Sequence, residues 1–349
     1  MLTNEGGEKA PRLWRGHGER LLVSVVSPAF NESRNVPLLY RSLVETFQPL
    51  AVDWEWVVVD DHSTDETFQA LVNLAGKDSR VRGFRLARNA GSHAALVCGL
   101  HQARGDCVVV LAADLQDPPE LIPDMLKLWR EGYHIVWAVR RRREGIKKSS
   151  LWFSRLYYYA MRHLFGLKEL PETGADFFLA DKRVIEALKG FHERNVNLMA
   201  LLAWMGFRHT RIDYDKKARI YGRSGWNFAK KIKLFIDSVA SFSYLPIRAI
   251  SVIGFITAMV GFLYAGVVVI NALRGAPPQG WASLMVVVLV IGGVQMIMMG
   301  VLGEYLWRAF DETRRRPKFI IEETTVHERA GPGRRASPCG EANAESRTG

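Results

Sequence analysis

The residues with the greatest chemical reach lie in Val108–Glu120, VVVLAADLQDPPE. Its apolar half reads as a buried parallel strand. It gives way to Asp114, Gln116 and Asp117 before two prolines forbid further strand. Asp114 and Gln116 stand two residues apart, so in an extended chain they face the same side. One carboxylate and one amide oxygen facing the same way can hold a hard divalent cation that also takes phosphate oxygens. The plainer alternative is a strand-to-helix turn with Asp117 as N-cap and Pro118 at the first helical position. A second apolar run, Glu55–Asp60, ends in Asp60-Asp61-His62-Ser63, where Asp60 can accept hydrogen bonds from a ribose or a base or can cap the next helix. A third, His134–Val139, ends in Arg140-Arg141-Arg142-Arg143, with Lys147 and Lys148 close behind. Such a run is a solvated face or an anion site, and the arginine fork suits phosphate.

These groups need strands to carry them. Leu21–Ser27, Glu55–Asp60, Val81–Ala87, Val108–Ala113 and His134–Val139 alternate with helical patterns, the first capped by Asn31 or Ser33. The alternation predicts an α/β fold, a mostly parallel sheet with helices on both faces. Open sheets of this kind bind ligands at the C-terminal ends of their strands. The first strand is not followed by G-x-G-x-x-G, which weighs against a dinucleotide site. Further on, Leu170–Leu179 is a loop entering a short strand with Asp176 at the junction, and Phe207–Asp215 reads as a late strand. Arg219–Trp226 is a flexible basic loop.

The chain has 349 residues and a formal charge of +11, which suits a phosphate-bearing substrate or an anionic membrane face. No base-stacking module is evident, so nucleic acid is the least fitting partner. Cys98, Cys107 and Cys339 lack metal-ligand spacing and fit a reducing compartment. No signal peptide is expected. Pro246–Leu273 and Leu284–Leu306 are long and apolar enough to cross a membrane. The preceding Trp226–Phe242 segment places Phe228, Ile232, Phe235, Val239 and Phe242 on one helical face, with Lys230, Lys231, Lys233 and Asp237 elsewhere on the wheel, as an interfacial helix would. Cations flank the pair of spans on both outer ends, so the large domain and both termini are expected on the cytoplasmic side. Gly292, Gly293, Gly300 and Gly303 are expected to allow close helix approach. The expected organisation is a disordered 1–20, a catalytic 21–225, an interfacial 226–244, an anchor 245–308 and a tail 309–349, disordered after about 327.

Pro28-Ala29-Phe30-Asn31-Glu32, Asp60-Asp61-His62-Ser63, Arg88-Asn89-Ala90-Gly91 and Asp114–Glu120 resemble the successive motifs of family 2 glycosyltransferases. With Arg219–Trp226, Phe242–Arg248, Gly303–Leu306 and Arg316-Pro317, they resemble the polyprenyl-phosphate glycosyltransferases of that family. The resemblance implies a GT-A fold in a bacterial inner membrane and Mg2+ or Mn2+. It implies inverting transfer from a nucleotide sugar, UDP being favoured, to undecaprenyl phosphate, and a homo-oligomer, a tetramer by family likeness. It also implies donor contacts at Pro28, Glu32, Asp60 and Asp61, metal and diphosphate at Asp114 with Gln116, and an acceptor-loop acid at Asp176. Arg140, Arg155, Arg219 and Ser224 become candidates for the lipid phosphate. Asp114, Asp176 and Arg219 are the implied catalytic residues. Three positions depart from the family pattern: Ala112 replaces the first acid of a D-x-D, Gly225 replaces a lysine, and Ala175 separates Gly174 from Asp176. A processive polysaccharide synthase is an alternative, but its Q-x-x-R-W motif is absent. A metal-impaired membrane scaffold is another.

Overall fold

A computed structural model describes residues 20–141, 177–191, 197–215, 245–274, 280–314 and 316–325. The strands are β1 (Leu22–Ala29), β2 (Asp53–Asp60), β3 (Val81–Leu86), β4 (Cys107–Val110), β5 (Ile135–Arg140), β6 (Phe177–Asp181), β7 (His209–Tyr214) and β8 (Ile321–Thr324). They form one sheet in the order β7-β5-β6-β4-β1-β2-β3-β8. The pairs β1–β2, β2–β3, β1–β4 and β5–β7 are parallel, whereas β6 runs antiparallel between β4 and β5, and β8 antiparallel along β3. The mostly parallel sheet is as the sequence predicts. Six strands therefore present their C-terminal ends to one edge.

Both faces of the central strands are buried, which is why they read as continuous apolar runs. Val23, Val25, Trp56, Val58 and Val109 face one core, beneath α1 (Asn35–Phe47), α2 (Thr67–Ala75) and α4 (Ile122–Arg130). Val26, Val57, Val59, Val108 and Val110 face the other, with α3 (Ser92–Gln102), α5 (Lys182–Lys189) and α6 (Leu198–Trp204). Val36, Leu39, Leu43 and Phe47 form the buried stripe of α1. Burying each such side chain stabilises the fold by about 1.5–3 kcal/mol. On α3 a Cβ at Gly99 would run into Val26 Cγ1 and come within 3.3 Å of Val59 Cγ2, so only glycine lets this helix rest directly on β1 and β2.

Several local expectations are corrected. The β4 ladder ends at Val110, short of the expected Ala113. Ala113 and Asp114 lie in a turn and Leu115 has φ +60°, so Asp114 and Gln116 are not on one side of an extended chain. The N-cap before the 3-10 turn Pro119–Leu121 is Pro118, not Asp117. Neither Asn31 nor Ser33 caps α1: its N-cap is Arg34, and Glu32 O accepts the Asn35 and Val36 amides at 2.9 and 3.0 Å. Asp60 caps no helix either, since the N-cap of α2 is Glu66.

Two long helices follow, α7 (Leu245–Leu273, 29 residues) and α8 (Trp281–Thr313, 33 residues). Their apolar stretches Ile247–Val268 and Val290–Thr313 are each long enough to cross a hydrocarbon core. Phe255, Phe262, Met296 and Ile297 point outward from them. Their closest glycine contact is at Gly254, where a Cβ would meet Met298 Cε at 3.0 Å. Gly292, Gly293, Gly300 and Gly303 do not mediate it, because a Cβ at any of them meets nothing within 4 Å among the described residues. After α8 the chain returns to the sheet as β8, pairing with β3. The expected interfacial helix 226–244, the N-terminal 1–19 and the tail beyond 325 lie outside the described residues.

Candidate active site

Chain order reverses at β1, which sits between β4 and β2. A crevice opens outside the strand ends at such a switch point, and ligands of open α/β sheets bind there. The backbone marks the same place. Among the described residues, the non-glycine residues with positive φ are Asn31 (57°), His62 (58°) and Leu115 (60°), which follow β1, β2 and β4. Left-handed backbone in side-chain-bearing residues is uncommon and clusters at functional sites. Side chains from one loop hold the next. Asn31 N donates to Ser63 Oγ at 2.9 Å, Glu32 N to Thr67 Oγ1 at 2.8 Å, and Thr64 N to Asn31 Oδ1 at 2.9 Å. Pro28 is half-buried near the end of β1, and the Glu32 carboxylate accepts from Asn35 Nδ2.

Asp60 and Asp61 end β2 as two buried carboxylates with different roles. Asp60 is fully buried. Its Oδ1 accepts Ser63 N at 3.1 Å and the Ser63 hydroxyl. Its Oδ2 has no hydrogen-bond partner among the described residues, and Arg85 Nε stands 4.0 Å away. Burial pushes the Asp60 carboxyl above the usual carboxylate range, against the pull of Ser63 and Arg85. Asp61 instead clasps the loop after β3, accepting Ala90 N at 2.7 Å and Gly91 N at 2.9 Å. Gly91 has φ 91°, a conformation glycine adopts without strain, and it is the N-cap of α3. Burial raises the Asp61 carboxyl as well, opposed by those two amides.

The loop after β4 carries Asp114, buried, and Gln116, half-buried. Asp114 Oδ1 accepts the Gln116 amide at 3.2 Å, a local turn that fits the left-handed Leu115 between them. Asp117 is fully buried and accepts the Tyr214 hydroxyl at 2.6 Å, tying this loop to the end of β7. Arg140, at the end of β5, lies beside Tyr214. Burial, then Asp117, pushes the Tyr214 hydroxyl well up. Ala112 contributes no side-chain oxygen, so the carboxylates of this strand end are those of Asp114 and Asp117.

The structure thus brings Pro28, Glu32, Asp60, Asp61, Asp114 and Gln116 to the C-terminal ends of three adjacent strands and the loops that follow them, with Arg140 two strands beyond β4. Asp176, Arg155, Arg219 and Ser224 lie outside the described residues. Sequence reasoning missed Arg85, His62 and Tyr214. A charged residue near the end of the short strand VRGFRL was a signal for Arg85. Nothing local signalled the Asp117–Tyr214 bond, whose partners are 97 residues apart.

The family model described as Glycosyl transferase family 2 matches residues 24–189. An uncharacterized glycosyltransferase of Synechocystis sp. is 36% identical over 302 residues, covering 86% of this chain and 95% of that protein. The SfII prophage-derived bactoprenol glucosyl transferase of Shigella flexneri is 35% identical over 307 residues, covering 86% and 98% respectively. A solved glucosyl-3-phosphoglycerate synthase from Mycobacterium tuberculosis, in complex with Mn2+ and UDP-glucose, is 19% identical, with a TM-score of 0.42 over 63% of this chain and 77% of that one. By its likeness over 86% of its length to the first two relatives, together with the family match, the chain belongs to the family 2 glycosyltransferases, alongside the bactoprenol glucosyl transferases.

Proposed function

We propose that this glycosyltransferase moves a sugar, with inversion, from a UDP-sugar to undecaprenyl phosphate on the cytoplasmic face of the bacterial inner membrane. The observation that carries the reading is Asp60, fully buried at the crevice with one carboxylate oxygen lacking a hydrogen-bond partner among the described residues. A fold keeps such an oxygen, at a cost in desolvation, where a ligand will supply the donor. A ribose hydroxyl or a base N–H fits that role. The relatives named bactoprenol glucosyl transferases support the polyprenyl acceptor, and the two long apolar helices support a membrane location. The return of β8 to the sheet supports a hairpin anchor with both ends on the catalytic side. The domain 21–225, the interfacial 226–244 and a tetramer belong to the same proposal.

One carboxylate with an amide oxygen is a lean donor set. It suits Mg2+ or Mn2+ when substrate phosphates and waters complete the shell. Asp114 with Gln116 would hold that cation, which when bound supplies charge neutralisation on the departing diphosphate. The acceptor phosphate monoester is already largely anionic at pH 7, its second pKa lying near ~6. A phosphate oxygen forms the bond to the anomeric carbon as the bond to the donor diphosphate breaks, and the electron pair leaves with the diphosphate. No side chain has to remove a proton. The chain's work is positioning and charge complementarity. Arg140, Arg155, Arg219 and Ser224 hold the lipid phosphate, and Asp176 orients the acceptor.

Membranes containing the protein, given labelled UDP-sugars and undecaprenyl phosphate with Mg2+ or Mn2+, should pass label into the lipid fraction. Asp114→Asn should lower that transfer by about a hundredfold or more. Absence of transfer from every nucleotide sugar would overturn the reading.

A further inference from the structure

The strand that returns from the membrane helices carries a carboxylate into the donor end of the sheet. β8 is held along its length: Ala87 N donates to Ile320 O at 2.9 Å, Thr325 N to Gly83 O at 2.9 Å, and Gly83 N to Thr325 Oγ1 at 2.8 Å. Its ladder is not regular. Leu86 pairs with Ile321 but Arg85 pairs with Glu323, so Glu322 is an extra residue in a bulge. Bulges re-aim side chains and recur beside active sites. Here Glu322 Oε2 lies 3.5 Å from Arg85 Nε and 3.6 Å from His62 Nδ1. The same Arg85 Nε stands 4.0 Å from Asp60 Oδ2, and Arg85 Nη2 donates to Ser63 O at 3.4 Å. One guanidinium therefore lies between two carboxylates: the buried Asp60 and a second one that arrives from beyond the membrane anchor.

We infer that Glu322 is a positioning residue for the donor site, resting on the reading above. It holds Arg85 off Asp60, so that Asp60 Oδ2 stays available to the nucleoside. Without Glu322, Arg85 loses its outer partner and moves onto Asp60 Oδ2, where it competes with the donor for the same lone pairs. Because β8 continues from α8, this part of the donor site depends on the segment that follows the membrane anchor.

The full chain in lipid nanodiscs, titrated with UDP and separately with GDP by calorimetry in the presence of Mn2+, tests this. Glu322→Gln and Glu322→Ala should weaken binding of the preferred nucleotide by about three- to fivefold, the range of a half-exposed ion pair. They should raise the donor KM by a like factor and leave kcat near the wild-type value. Glu322→Asp should recover part of the loss. Since Glu322 acts through Arg85, Glu322→Ala should change nucleotide affinity little in an Arg85→Ala background. The inference is overturned if both charge-removing variants bind the nucleotide as wild type does. It is equally overturned if the loss is undiminished without Arg85, or if kcat alone falls. Wild-type protein that bound neither nucleotide would overturn the donor-site reading as well, which separates the two failures.

Discussion

The strand β2 carries a buried acid near each end, and the two are treated oppositely. Near its start, Glu55 is paired on both oxygens. Oε1 accepts Ser24 Oγ at 2.6 Å and Arg104 N at 2.8 Å, and Oε2 accepts Arg82 Nη1 at 2.8 Å. Arg82 is itself buried and donates also to Gln102 O at 2.8 Å. At its end, Asp60 is more deeply buried, yet it has hydrogen bonds on one oxygen only and a guanidinium at 4.0 Å. Among the described residues, the Glu55 carboxylate is satisfied on both oxygens without a ligand and the Asp60 carboxylate is not. The proposed donor site rests on that second arrangement: burial without full satisfaction, at the edge where strand order reverses.

The largest expected effect lies at the complete end. Glu55→Ala leaves Arg82 buried without its countercharge and should lower unfolding free energy by about 3–5 kcal/mol, read from denaturant or thermal unfolding. Replacing both partners with methionine should recover much of that loss, because the penalty belongs to the orphaned charge. At the incomplete end the expectation reverses. Asp60→Asn should cost about 1.5–3 kcal/mol in nucleotide affinity, roughly ten- to 150-fold in Kd, by loss of a charged acceptor. Stability should hold or rise. The folded Asp60 carboxyl is raised above its ordinary 3.8, so its favourable contribution is present at low pH and is lost as pH climbs through the raised value. The variant's advantage in unfolding midpoint should therefore be largest near neutral pH and shrink as pH falls toward 3.8. If Asp60→Asn unfolded as readily as Glu55→Ala, the contrast between the two ends would collapse.

The sequence carried the scaffold of this contrast but not its chemistry. Apolar runs ending in polar or charged residues located β1, β2, β4 and β5, because strands buried on both faces leave a clear pattern. The loops Asp60-Asp61 and Asp114–Asp117 were legible as strand tips. Their roles within the tips were not. Asp61 turned out to be a clasp on Ala90 and Gly91, and Asp117 a buried acceptor for Tyr214, because both depend on partners distant in sequence. The same-side placement of Asp114 and Gln116 failed because it assumed extended chain where Leu115 turns left-handed. β8 was hidden in a polar tail, since a four-residue edge strand exposes three of its side chains and leaves little apolar signal.

Asp117 sharpens the comparison with the smallest change. It lies at the end of the loop after β4 and, as with Asp60, the fold holds one of its oxygens: Oδ1 accepts the Tyr214 hydroxyl at 2.6 Å. Whether position or satisfaction by Tyr214 decides function can be read from Tyr214→Phe, which deletes the donor to Asp117 together with the hydroxyl's interaction with Arg140. If satisfaction decides, the variant should lose about 1–2 kcal/mol of stability, the cost of a buried acceptor stripped of one hydrogen bond. Its nucleotide affinity should stay close to wild type, since Asp117 is then a brace for the loop and not a contact. If position alone decided, affinity should fall as it does for Asp60→Asn, with stability little changed. Calorimetric titration beside thermal unfolding of the same preparation separates the two outcomes. The direction of the Tyr214 shift favours the brace: burial and Asp117 together hold the hydroxyl protonated, so it serves as a permanent donor to the acid.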